Sequence, residues 1–139
     1  MEASQAPYRV LIVDDVPAVR EALRWALEDE PDLAVVGEAS SGAEALACVG
    51  ELTPDVVILD IELPGLDGYA VAQQLKQASH PPVVVFLSVH GDSVSRRRGR
   101  EAGGDGFAEK GTGWIALISQ VRRSLGSRPD GAGAYSGGS

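Results

Sequence analysis

The chain has 139 residues, enough for one domain with a real core and too few for a second of similar size. Its formal charge of −8 opposes binding to phosphate backbones or anionic lipid, and its single cysteine, Cys48, excludes an intrachain disulfide. No apolar run reaches the length of a membrane span and no signal-peptide pattern opens the chain, so the composition fits a soluble cytoplasmic protein.

Residues 1–7 carry no periodic pattern and are expected to be disordered. Tyr8–Val13 is a buried strand that ends on the acid pair Asp14-Asp15. Pro17 then suits a first helical turn, with Asp15 or Val16 near the cap. Val19, Ala22, Leu23, Ala26 and Leu27 recur at helical spacing and predict a helix over 17–30. A second strand covers 33–38. Ser40 or Ser41 can cap the next helix, with Glu44 placed as in a capping box; Cys48 on this helix reads as a small core filler.

The stretch 54–68 is the most informative. Val56-Val57-Ile58-Leu59 is too short for a helix and rich in β-branched residues, which predicts a strand over 55–60 buried on both faces. It ends on Asp60 and turns through Pro64-Gly65 to Asp67, a cap for a helix over 67–79. Pro81-Pro82 precede the apolar strand Val83–Ser88, and a helix over 92–102, poor in helix formers, is expected to be short and mobile. A fifth strand, 107–109, ends at Lys110. Thr112 is the expected cap of a last helix with Trp114, Leu117, Ile118, Val121 and Leu125 on its apolar stripe. The tail 126–139, rich in Gly and Ser, is expected to be disordered and is too short for a helix-turn-helix.

Five strands alternating with five helices predict a doubly wound α/β domain with a five-stranded parallel sheet, spanning 8–125. In the flavodoxin-like order 2-1-3-4-5, the first and third strands flank the topological switch point, where ligands bind. Asp14, Asp15 and Asp60 then crowd one crevice with Ser88 and Lys110 at neighbouring strand ends. Three carboxylates so close repel one another, and a hard divalent cation, Mg²⁺ above all, relieves this. Cation, carboxylate nucleophile, hydroxyl and lysine together describe phosphoryl-transfer chemistry.

On these residues the chain resembles a response-regulator receiver domain. The resemblance rests on Asp14-Asp15, the segment Asp60-Ile-Glu-Leu-Pro-Gly-Leu-Asp-Gly68, Ser88 closing the fourth strand, and Phe107-Ala-Glu-Lys110. Each piece is weak alone; together, in order and at the right strand ends, they are specific. The resemblance implies that Asp60 takes a phosphoryl group from a phosphohistidine on a histidine kinase or phosphotransfer protein. Asp14, Asp15, Asp60 and the backbone carbonyl of Glu62 would hold Mg²⁺. Lys110 would neutralise phosphoryl oxygens, Ser88 would turn toward them, and Phe107 would follow as the switch aromatic. Enzymatic activity would be limited to self-catalysed phosphorylation and hydrolysis, and the output would be a changed surface on the fourth helix, fifth strand and fifth helix, which could pair two copies.

Three departures stand out, one of them Phe107, which lacks the hydroxyl of the commoner tyrosine and so cannot make a new hydrogen bond. Leu63 replaces the family's usual methionine, a near-isosteric swap. Val89 stands where alanine or glycine is usual, and its branched side chain is expected to narrow access to Asp60.

Plainer uses exist for each residue. Asp14 and Asp15 can be a helix cap and its neighbour, Lys110 a solvated loop residue, Ser88 an ordinary strand end, Phe107 core. Arg96, Arg97, Arg98 and Arg100 cannot share one helical face, so a solvated surface is expected in preference to nucleic-acid contact. Trp25 falls off the apolar stripe of its helix and is expected to be partly exposed, as a kinase-docking surface would be. His80 and His90 have no partner at metal-ligand spacing. A haloacid-dehalogenase-type phosphatase would want an aspartate where Glu62 stands. A flavin binder would want glycines after the first strand. The receiver half of a DNA-binding regulator, cut before its output domain, fits the same residues.

Overall fold

The computed structural model describes residues 6–126; the expectations for residues 1–5 and for the tail from residue 127 onward lie outside it. Five strands, β1 (Tyr8–Val13), β2 (Leu33–Ala39), β3 (Val56–Asp60), β4 (Val83–Ser88) and β5 (Gly106–Glu109), form one sheet. They alternate with α1 (Pro17–Glu28), α2 (Gly42–Leu52), α3 (Gly68–Leu75), α4 (Ser93–Glu101) and α5 (Trp114–Gly126). The strand order is β2-β1-β3-β4-β5 and every pairing is parallel. This is the doubly wound fold that the alternation of elements requires.

Side chains on a strand point alternately to opposite faces, so each central strand feeds two cores. Val10, Ile12, Val56, Ile58, Val85 and Leu87 meet Leu23 and Leu27 of α1 and Leu117 and Val121 of α5. Leu11, Val13, Val57, Leu59, Val84 and Phe86 meet Ala45 of α2, Val71, Ala72 and Leu75 of α3, and Ala102 beyond α4. The uninterrupted apolar runs of β3 and β4 follow from this: every residue of both strands is buried.

Local signals decide where elements begin. Ser41 caps α2, its hydroxyl accepting from the Glu44 N–H at 3.2 Å, while Glu44 reaches back to the Ser40 N–H at 2.7 Å. Asp67 caps α3 and Asp92 caps α4, each carboxylate accepting from the N–H three residues on. Ends differ more from expectation. The first helix stops at Glu28, and α3 stops at Leu75, because Gln77 and Ala78 bond to carbonyls three residues back instead of four. Thr112 does not cap α5. It lies in a 3₁₀ turn, Lys110–Thr112, and its hydroxyl donates to the Glu109 carbonyl at 2.9 Å. Gly126, expected to open the tail, is the last residue of α5.

The loop between β3 and α3 is closed by the Gly68 N–H donating to the Ile61 carbonyl at 2.8 Å. A Cβ at Gly68 would lie 2.5 Å from the Asp60 carbonyl oxygen and 2.7 Å from the Ile61 Cα. Both are backbone atoms, so the loop itself must shift. Gly68→Ala is expected to lower stability by roughly 1–3 kcal/mol in urea denaturation, the usual cost of overpacking. An unchanged midpoint would show that the loop yields freely.

Candidate functional site

Parallel strands all point their carboxyl ends to one edge of the sheet, and the chemistry-bearing residues gather there. Asp14 and Asp15 follow β1, Asp60 closes β3, and Lys110 follows β5. One carboxylate oxygen from each of Asp14, Asp15 and Asp60 lies within 4.8 Å of the other two. The Lys110 ammonium sits 3.0 Å from Asp14 Oδ2 and 3.3 Å from Asp60 Oδ2. Asp14 is fully buried and Asp60 only 2% exposed, whereas Asp15 opens to solvent.

Backbone donors aim the two buried acids. Asp14 Oδ1 accepts from the Val16 N–H at 2.9 Å, and Asp60 Oδ1 accepts from the Glu62 N–H at 3.0 Å. Asp14 Oδ2 has no hydrogen-bond partner among the described residues: the ammonium is near enough to attract it but lies out of line for a bond. Burial pushes the Asp60 carboxyl up to about 6, with the charge of Asp14 adding to the rise and the Glu62 N–H and Lys110 opposing it. Burial works against the Lys110 ammonium too, but Asp14 and Asp60 outweigh it and leave its pKa raised. Three carboxylates around one ammonium leave the pocket net negative. An all-oxygen donor set, with a buried Asp14 Oδ2 that accepts no well-aligned hydrogen bond, suits a hard divalent cation.

Ser88 stands on the strand next to Asp60, one residue beyond Leu87, which pairs with Asp60 across the ladder. It is buried, and its hydroxyl oxygen accepts from the His90 N–H at 3.0 Å. Phe107 is half-buried against the core beneath α3 and α4, its ring covered by the Arg96 guanidinium at 4.8 Å. Glu62 turns its side chain to solvent, 4.0 Å from His90. Val89 is 56% exposed and Trp25 79% exposed. Cys48 is half-buried on α2, where burial raises its thiol pKa.

Some partners escape a reading of the sequence. Arg96 is more than a solvated cation: besides covering Phe107 it donates from Nε to the Gly91 carbonyl at 3.0 Å and lies 3.6 Å from Glu109. Arg98 covers the Tyr69 ring at 4.3 Å, while Arg97 and Arg100 face solvent, so the four arginines do splay apart. The Tyr69 hydroxyl donates to the Ser95 carbonyl at 3.2 Å, tying α3 to α4. No spacing rule links these positions; only the folded chain brings them together.

Acids at the switch point of a 2-1-3-4-5 sheet, faced by a lysine just after the fifth strand, define a receiver-type α/β domain. The chain belongs to the response regulator receiver domain family, whose model matches residues 10–122. It is 41% identical over 126 residues to a protein-glutamate methylesterase/protein-glutamine glutaminase of Symbiobacterium thermophilum, covering 86% of this chain and 33% of that one. It is 38% identical over 123 residues to the DNA-binding response regulator MtrA of Mycolicibacterium smegmatis, covering 88% of this chain and 52% of that one. A two-component response regulator of the LuxR family from Aurantimonas sp. SI85-9A1 superposes with a TM-score of 0.83 at 32% identity, covering 88% of each chain. The chain therefore spans a third to about half the length of these curated relatives. No helix among the described residues is long and apolar enough to cross a membrane.

The raised pKa of Asp60 has a consequence for stability. Its ordinary value is 3.8 and its folded value about 6, so the folded state resists ionisation. The associated stability is fully present below 3.8 and lost as pH rises through 6. In metal-free buffer at pH 7.5, Asp60→Asn is expected to stabilise the domain by roughly 1–3 kcal/mol in urea denaturation. The gain should vanish toward pH 4; a gain independent of pH would mean that ionisation is not its cause.

Proposed function

We propose that this chain is a phosphorylation-controlled signalling receiver in which Asp60 accepts a phosphoryl group from a phosphohistidine on a histidine kinase or phosphotransfer protein. The observation that carries this reading is the pair of contacts from Lys110 to Asp60 and Asp14 within a cluster of three carboxylates. An Asp60 oxygen attacks phosphorus while the bond to the donor nitrogen breaks, and Asp60 must be ionised to do so. Lys110, already beside Asp60, is placed to meet the phosphoryl oxygens with charge. Mg²⁺, held by Asp14, Asp15, Asp60 and the Glu62 carbonyl, would supply charge neutralisation for the transferring group.

The output follows from the same atoms. A phosphoryl group on Asp60 adds nearly two negative charges and strong acceptors. Ser88 would leave its bond with His90 for the new oxygens, and Phe107 would follow. Both changes bear on the face made by α4, β5 and α5, the proposed surface for a partner protein or a second copy of this chain. The exposed Trp25 on α1 is the proposed contact for the kinase, and the cytoplasm is the compartment where such a donor works. Chemistry beyond self-phosphorylation and hydrolysis is not part of this reading.

A second reading concerns what the receiver controls. The relatives are two to three times as long as the matched span, and by name one binds DNA and another is a methylesterase. A receiver acting on an attached output unit, DNA-binding or enzymatic, fits that length relation. The phosphoryl chemistry would be the same.

Incubation with acetyl phosphate and Mg²⁺ is expected to raise the intact mass by one phosphoryl group. The increase should be lost in Asp60→Asn and with a chelator in place of Mg²⁺; labelling that survives in Asp60→Asn would overturn the assignment. Val89 stands beside Ser88 and projects into solvent. Val89→Ala is expected to speed phosphorylation, dephosphorylation or both, and two unchanged rate constants would refute a gating role.

A further inference from the structure

The turn that carries Asp14 and Asp15 leads from β1 into α1, and it lacks an ordinary helix cap. Val16 occupies the N-cap position and makes no side-chain capping bond. The turn is held by other means. Asp14 Oδ1 accepts from the Val16 N–H at 2.9 Å, and the Val16 carbonyl accepts from the Arg20 N–H at 3.2 Å. The Arg20 side chain then folds back, and its Nη1 donates to the Asp14 carbonyl at 2.7 Å. One residue thus grips the turn at both of its ends.

That grip is itself aimed from the neighbouring strand. Arg20 Nε donates to Glu38 Oε1 on β2 at 3.1 Å, and the Arg20 side chain is only 19% exposed. The other Glu38 oxygen accepts from Arg24 Nε at 2.6 Å. Arg24 is more exposed, 40%, and makes no hydrogen bond to the turn. The two arginines share one carboxylate, but only Arg20 reaches the backbone that presents the acids.

We propose that Arg20, oriented by Glu38, is a positioning residue for the divalent-cation site: it fixes the backbone of the turn so that the Asp14 and Asp15 carboxylates converge with Asp60. The proposal rests on the reading that this acid cluster binds Mg²⁺. A turn free to rotate would have to be ordered at the moment of binding, and affinity would fall by that cost. Groups that orient metal ligands commonly set affinity in this way.

Two effects of Arg20 have opposite signs, which makes the idea testable. As a mere positive charge near the site it would repel a cation, and its removal would tighten binding. As a positioning group its removal weakens binding. The measurement is isothermal titration of MgCl₂ into the full chain at pH 7.5, with urea denaturation run beside it. Arg20→Ala is expected to raise the Mg²⁺ dissociation constant about tenfold or more. Glu38→Gln should shift it the same way by less, since the amide oxygen still accepts one bond. Arg24→Ala should lower stability and leave the Mg²⁺ affinity unchanged.

Unchanged or tighter binding by Arg20→Ala would overturn the proposal, as would an equal loss in Arg24→Ala, which would mean general loosening of α1. If Arg20→Ala does not fold, Glu38→Gln decides, and an unaltered affinity there overturns the role. A native chain that shows no Mg²⁺ binding at all would sink the cation reading itself along with this inference.

Discussion

One ammonium facing two buried carboxylates, with a third at the rim, is the constraint on which the rest of this domain depends. Lys110 lies 3.0 Å from Asp14 and 3.3 Å from Asp60, yet the charges do not balance. An excess of negative charge in a desolvated pocket is costly unless something compensates it, and the raised pKa of Asp60 expresses that cost. The imbalance is tolerable because it stands at the sheet edge, where Asp15 still meets solvent. Moved one residue deeper into β1 or β3, the same acids would sit among Val13, Leu59 and the two cores.

The contacts that hold the acids differ in kind from those around Phe107. Asp60 closes the fully buried β3 and Asp14 directly follows the buried end of β1, both interior strands of the sheet. Phe107 and the loop before α4 add polar and cationic contacts to their apolar packing. Arg96 joins the Gly91 carbonyl, the Glu109 carboxylate and the Phe107 ring, and a Cβ at Gly91 would collide with that carboxylate. Contacts of this kind are individually modest, so they can be exchanged without disturbing the cores.

Polar ties also fasten the periphery of the fold. Lys76 after α3 donates to Asp105 at 2.8 Å and to the Pro82 carbonyl at 2.9 Å, closing the start of β5 onto β4. Asp105 in turn accepts from the Val84 N–H at 2.9 Å, taking the place of a strand neighbour. Arg122 on α5 pairs with Asp32 and Glu30, and this holds the Asp32 carboxyl below its ordinary pKa. None of these pairs touches the acid pocket; they keep the outer helices registered on the sheet that presents it.

The amino-acid sequence determined the sheet and the acid cluster. Apolar runs of strand length, each stopped by an acid, a serine or a lysine, place those residues at one edge of any parallel sheet, and the caps at Ser41, Asp67 and Asp92 are set by their own neighbours. Expectation failed where the outcome depends on distant atoms or on weak local preference: Thr112 bonded back to Glu109, and α3 ended early in a tightened turn. Only the tertiary structure decided which carboxylate oxygens Lys110 meets, which arginine covers Phe107, and that Arg20 reaches back to the Asp14 carbonyl. The reason is physical. Burial and backbone ladders are dictated by short-range pattern, whereas long cationic side chains choose among several acceptors that only folding brings within reach.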